Sequence, residues 1–308
     1  MDLTLLADPV FLAQNVVDGV ARGSLYAVYA MGFTLIFGIL DIINLAHAAT
    51  FMWCAFAGWL VMSQLNFPLT VGIAVSMLAG AGVAALLELA AFRPLRRAGS
   101  DRLASMISSI GASLVMVSVA EAVFGVDTRR FPDSVLDPRP FFIGGHAGLR
   151  ISRAQILIIA AAVILTLALG AFIRRTRMGT AIRAIAADQR ASRLLGINVN
   201  GVVIVTFLVA GALAGAAGIL VGLLTTNIAP GMGAQIELRG LAVVILGGMG
   251  NIEGAVLGGL ILGLVETFAI AYVPGGSDIK DAIVFLILFL ILLVRPSGIL
   301  GRKTAEGS

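Results

Sequence analysis

Few residues in this 308-residue chain could do chemistry. There is one cysteine, Cys54; the histidines are His47 and His146, and the lysines are Lys280 and Lys303. No H-E-x-x-H pair is present for zinc and no G-x-S-x-G for acyl transfer, and Cys54 has no base nearby in sequence. His47 has no second His or Cys at ligand spacing, so no metal site is expected. A G-x-x-x-x-G-K-[ST] phosphate loop is also absent, which excludes a P-loop ATPase. No catalytic residue is assigned. What remains are polar residues that interrupt apolar runs. Asp41, Asn44 and His47 do so in "ILDIINLAHAAT". Gly247, Gly248, Gly250, Asn251, Glu253 and Gly254 do so in "LGGMGNIEGAVLGG". Glu266 stands midway along a third run, and positions 174–198 read "RRTRMGTAIRAIAADQRASRLLGIN". Such groups bind and couple: they line a polar path, cap a broken helix or dock a partner.

The elements that must position them are membrane helices. The chain is 59% hydrophobic and 12% charged, about half the charge of a soluble domain, with a mean hydropathy of +1.03. Several runs reach the roughly 20 residues that span a bilayer as a helix. The alternation of barrel strands is missing, so the expected fold is an all-α polytopic membrane protein, one transmembrane domain over 1–308. Glycine-rich stretches such as "GALAGAAGILVG" suit helices packed through small residues. Nine passes are expected, at Val17–Leu40, Leu45–Met62, Leu69–Phe92, Leu103–Phe124, Ala154–Ile173, Val202–Leu224, Ile236–Met249, Ala255–Tyr272 and Ile279–Val294. The seventh has only about 14 residues, which leaves a re-entrant segment and an eight-span bundle open. The stretch from Phe11 leaves room for a short extra surface helix. The start carries Asp2 and Asp8 and lacks a basic region, so no cleavable signal peptide is expected.

Basic residues orient the bundle. The clusters Arg93–Arg97 with Arg102, Arg174–Arg193, and Arg295 with Arg302 and Lys303 fall on one side of a nine-pass chain. That side is assigned to the cytoplasm, with the N-terminus outside and the C-terminus inside. The loop of about 125–153 lies opposite; its arginines are partly offset by Asp127, Asp133 and Asp137. The pI near 9.8 therefore reflects topology, and no nucleic-acid partner is inferred.

Several candidates carry two readings each. The 174–198 stretch is far longer than a simple connection needs. Its alanines favour a helix, Gly179–Thr180 can open it, and Gly196 sits where a left-handed cap belongs. Either it lies on acidic lipid as an amphipathic helix or it docks into a groove of a soluble protein. Ile182, Ile185, Leu194 and Leu195 supply apolar contacts in both. The two interrupted hairpins are either capped turns or broken helices lining a transport path, with Asn44, His47, Asn251 and Glu253 on it. A lone histidine such as His47 is more often a satisfied structural residue than a functional one. Among the carboxylates, Glu88 should pair with the Arg93–Arg97 cluster. Glu121, Glu237 and Arg239 read as interfacial, and Glu266 as a pore group or an interhelical bond.

The stretch "TRMGTAIRAIAADQRASRLLGINVN" resembles the cytoplasmic coupling loop of ABC-importer permeases of the branched-chain amino-acid type. The matching features are Gly179, Ala184, Asp188, Ala191, Leu195, Gly196 and Ile197. "YAVYAMGFTLIFGILDIINLAHAATFMWCAFAG", "LRGLAVVILGGMGNIEGAVLGGLILGLVE" and "RPSGILG" resemble the same family, in the expected order along most of the chain. The likeness is to the smaller, LivH-like permease subunit. Two departures stand out. Asn44-Leu45-Ala46-His47-Ala48 replaces the family's Asn-Phe-Ala-His-Gly, and Glu253 stands where a proline or neutral residue is usual.

The resemblance implies a partner set: two nucleotide-binding subunits that carry ATP and Mg, a second homologous permease, and a periplasmic binding protein. This chain would bind no cofactor itself. Arg183, Asp188, Arg190 and Arg193 would contact the ATPase groove, with Ala184, Ala187 and Ala191 permitting close approach and Gly196 closing the helix. Leucine, isoleucine and valine are the implied cargo, at a bacterial inner membrane; related permeases carry other amino acids, amides, urea or aromatic acids. The competing class is an ion-coupled secondary transporter using Glu253 and Glu266.

Overall fold

The computed structural model describes residues 8–131, 140–143 and 148–301, and the statements below concern those. Helices α1 (Pro9–Leu40), α2 (His47–Ser63) and α3 (Leu69–Leu87) come first. α3 continues through a π-helical turn, Glu88–Phe92, into Arg93–Arg97. α4 (Arg102–Phe124) precedes strands β1 (Arg129–Arg130), β2 (Phe141–Ile143) and β3 (Leu149–Ile151). α5 (Arg153–Arg175), α6 (Arg177–Ala187) and α7 (Gln189–Leu194) follow. Then come α8 (Val199–Thr225), β4 (Asn227–Ile228), α9 (Met232–Gly247), α10 (Ile252–Tyr272) and α11 (Gly276–Val294).

Local chemistry sets the boundaries. Asp8 caps α1, with Pro9 in its first turn. α1 then runs unbroken to Asp41, a left-handed cap with φ 54°. No separate surface helix precedes it within the described residues, which corrects the expectation for the stretch from Phe11. Ser152 and Gln155 form a capping box at α5. His146, Arg302, Lys303 and part of the 125–153 loop lie outside the described residues.

Six helical segments are long and apolar enough to cross a membrane: Pro9–Leu40, Leu69–Arg97, Arg102–Phe124, Arg153–Arg175, Val199–Thr225 and Ile252–Tyr272. Within them α1 and α8 are 83% and 72% buried, against 22%, 11% and 22% for α3, α4 and α5. α1 and α8 therefore form the centre, and the other three present apolar faces outward. Without water to drive association in lipid, close backbone approach must hold such helices together. A Cβ on Gly23 of α1 would lie 2.7 Å from the Leu260 Cα, and one on Gly259 of α10 would lie 2.6 Å from the Ala27 amide nitrogen. Gly80 and Gly211 bring α3 and α8 together in the same way.

The bundle has two distinct ends. At one, β1 pairs antiparallel with β4, Arg129 opposite Ile228, and the Trp59 indole donates to the Arg130 carbonyl at 2.9 Å. At the other, the α1–α2 turn, the α9–α10 turn, α6–α7 and the chain up to Gly301 come together.

Candidate functional site at the coupling segment and the helix breaks

The segment between α5 and α8 is two short helices with a joint. Thr176 caps α6 by accepting from the Gly179 amide at 3.0 Å, so the helix opens at Arg177 and not at Gly179–Thr180. Asp188 ends α6 and begins α7; its carboxylate accepts from the Arg190 and Ala191 amides at 2.7 and 2.9 Å. Gly196 has φ +81°, the left-handed cap its type predicts. Ile182 and Ile185 are buried and fix α6 to the bundle. Arg183, Ala187, Asp188, Arg190, Ala191, Arg193 and Gly196 are exposed, and Ala184 is half-buried. Leu194 and Leu195 are 85% and 81% exposed. Their apolar side chains are therefore open to lipid or a partner.

Beside α6–α7 lies a cleft of about 860 Å³. Its walls include Gly38 and Asp41 from the end of α1, Arg96 and Arg102, Ala187 and Asp188, Gly250, and Ser297. Ion pairs surround it. Arg102 meets Asp41 at 2.5 Å. Arg96 meets buried Glu88 at 2.5 Å and donates to the Asn200 side chain at 3.2 Å. Arg174 pairs with Glu253. Glu88 thus pairs inside the Arg93–Arg97 cluster, as its spacing indicates.

The second break meets α1 just before the first, where a Cβ on Gly38 would lie 3.5 Å from the Gly250 Cα. The Gly250 amide donates to Thr34 of α1 at 3.1 Å. Ile299 and Leu300 donate their amides to the Leu246 and Gly247 carbonyls, and the Asn251 side chain donates to the Leu300 carbonyl at 2.8 Å. The C-terminal "RPSGILG" motif therefore pins the α9–α10 turn. Asn251 also caps α10 through the Gly254 amide, and Glu253, well exposed, is held by Arg174. Asn44 is buried and caps the approach to α2 through the Ala46 amide at 3.1 Å. Asp41, Asn44 and Asn251 thus serve as turn and cap residues.

His47 and Glu266 sit elsewhere. His47 is 1% exposed and lies against Tyr29, ring centroids 5.0 Å apart. Glu266, also 1% exposed, accepts from the Tyr26 hydroxyl at 2.5 Å and meets Arg22 and Arg239 at 3.5 Å each. Arg239 also reaches Asp281 at 3.1 Å. Glu266 is an interhelical ion-pair residue joining α1, α9 and α10, and Arg239, expected at an interface, reaches into the bundle to meet it. The path residues named from sequence do not form one cluster. Arg22, Tyr26, Tyr29 and Asp281 were not singled out. Arg22 and Tyr26, four apart and so on one helix face, carried a signal in an otherwise apolar run.

The family model described as "Branched-chain amino acid transport system / permease component" matches residues 15–292. This chain belongs to that family. The high-affinity branched-chain amino acid transport system permease protein BraD of Pseudomonas aeruginosa is 36% identical over 303 residues, 95% of this chain and 97% of that one. The corresponding LivH of Escherichia coli is 34% identical over 308 residues, 96% and 98%. A chain of a solved metal-chelate-type ABC transporter in an inward-facing conformation is 14% identical, with a TM-score of 0.46 over 92% of this chain and 89% of that chain.

Proposed function

We propose that this chain is a permease subunit of an ATP-driven importer that moves amino acids, branched-chain ones first, across a bacterial inner membrane. The observation that carries this is family membership along almost the whole chain. The chain is the transport component; ATP hydrolysis belongs to separate nucleotide-binding subunits. A second permease and a periplasmic binding protein complete the assembly.

The α6–α7 segment is the docking element for the ATPase. Its buried isoleucines anchor it, while Arg183, Arg190 and Arg193 with Leu194 and Leu195 face outward, a charged rim around an apolar anchor. Motion of the ATPase reaches the cleft through Asp188, which lines it. The two helix breaks and the C-terminal turn meet in the same cleft and form the inner gate. Nine passes with the cleft on the cytoplasmic side account for the basic clusters around it.

The ion-coupled reading needs free carboxylates along a path. Glu253 pairs with Arg174, and Glu266 is engaged by Tyr26, Arg22 and Arg239, which favours the importer. The test is uptake of labelled leucine by proteoliposomes holding the full complex and binding protein, with and without a variant of the ATPase phosphate-loop lysine. Uptake should vanish with that variant. Uptake that survives it and follows an ion gradient would put the protein among secondary transporters.

A further inference from the structure

Tyr29 Oη, His47 Nε2 and one carboxylate oxygen of Glu237 are buried in the bundle with no hydrogen-bond partner among the described residues. Tyr29 and His47 are 0% and 1% exposed, so bulk water does not serve them. They belong to one neighbourhood. The Tyr29 and His47 rings are 5.0 Å apart, and Glu237 stands one helical turn before Gly240, whose backbone abuts the Tyr29 ring. Space is made for the rings: a Cβ on Gly32 would lie 3.0 Å from the His47 ring, and one on Gly240 would collide with that of Tyr29. A buried polar group left unpaired is destabilising. Three in one place call for a guest that pairs with them.

The position is deep. His47 opens α2 and packs on Tyr29 and on Phe33, the latter at 5.9 Å. At about 1.5 Å per residue, these lie roughly 10–17 Å inside the end of α1 at Leu40. α9 begins beside the same point, since a Cβ on Gly233 would lie 2.7 Å from the Ala48 carbonyl oxygen. Two helix starts thus meet within the bundle, and neither has a side-chain cap. Their dipole ends favour an anionic group, and the Tyr29 hydroxyl and a His47 ring N–H can donate to it. Glu237, on α9 itself, favours a cationic group beside it. A simple anion would be repelled by Glu237, and a simple cation by the helix starts.

We propose that the junction of α1, α2 and α9 is an occluded site for the zwitterionic head group of an α-amino acid. Its carboxylate faces the starts of α2 and α9 with Tyr29 and His47; its ammonium faces Glu237. The site rests on the importer reading for its cargo class. Entry requires α9 to shift against α2, where Gly233 packs directly on the Ala48 backbone.

The experiment is saturable binding of radiolabelled leucine to the complete importer in nanodiscs without binding protein, at rest and trapped with vanadate. Leucine should compete at least tenfold better than 4-methylpentanoate, which lacks the amine, and than leucinamide, which lacks the carboxylate. Tyr29→Phe and Glu237→Gln should each weaken binding about tenfold or more, with subunit assembly and unfolding temperature unchanged. Equal competition by both analogues, or full binding in both variants, overturns the site. A wild type that imports leucine with ATP but shows no saturable binding in either state overturns the site and leaves the importer standing. One that imports no leucine sinks the importer reading, and the site with it.

Discussion

A carboxylate buried in an apolar bundle needs partners for its charge. Glu266 has Tyr26, Arg22 and Arg239. Removing one member of such a group leaves the rest uncompensated, at about 3–5 kcal/mol for a buried pair. Glu266→Leu should therefore lower the unfolding temperature of the purified protein sharply and reduce its yield. Tyr26→Phe, which removes one hydrogen bond to a charged acceptor, should cost about 2 kcal/mol. An unfolding temperature unmoved by Glu266→Leu would show that the network does not hold the bundle. Glu266 was legible from sequence because a carboxylate in an apolar run stands out. Its partners were not, since Arg22 is 244 positions away and spacing rules speak only within one helix.

At the scale of elements, the 174–198 stretch shows the same division. Alanine content announced a helix and Gly196 its end, because propensity and left-handed caps are local properties. The break at Asp188 was hidden: a capping side chain on a sequence that reads as continuous helix has no composition of its own. Asp188 was weighed as a charge toward the ATPase, whereas its carboxylate is occupied by two amides of its own chain. The two roles separate experimentally. Asp188→Asn keeps a capping side chain and removes the charge; Asp188→Ala removes both, costing about 1 kcal/mol locally. If the cap matters, Asp188→Asn should retain ATPase co-purification and leucine-stimulated ATPase activity while Asp188→Ala loses part of both. Charge reversal at Arg190 and Arg193 together should release the ATPase altogether. Intact co-purification after that reversal would mean that α6–α7 is not the docking element.

For the whole molecule, the open question was whether the short run ending at Met249 crosses or turns back. Gly250, which follows α9, lies with Gly38, Asp41 and Asp188 around one cleft, whereas β4, which precedes α9, pairs with β1 at the opposite end. The first residues of α9 lie beside Ala48, inside the bundle. Only Ala229 and a turn at Pro230–Gly231 separate β4 from α9, whose 16 helical residues run on to the cleft end. On the nine-pass reading proposed above, α9 is a crossing with a short helix, a geometry that hydropathy alone cannot separate from a re-entrant loop. The two topologies put the chain after α9 on opposite sides. Cysteines introduced at Ser277 and Ser297, both exposed, decide between them, with little background from buried Cys54. With nine passes, a membrane-impermeant maleimide should label Ser277→Cys in intact spheroplasts and Ser297→Cys only after permeabilisation. The reverse pattern would make α9 re-entrant. It would also carry the C-terminal turn away from the coupling segment and remove the proposed inner gate.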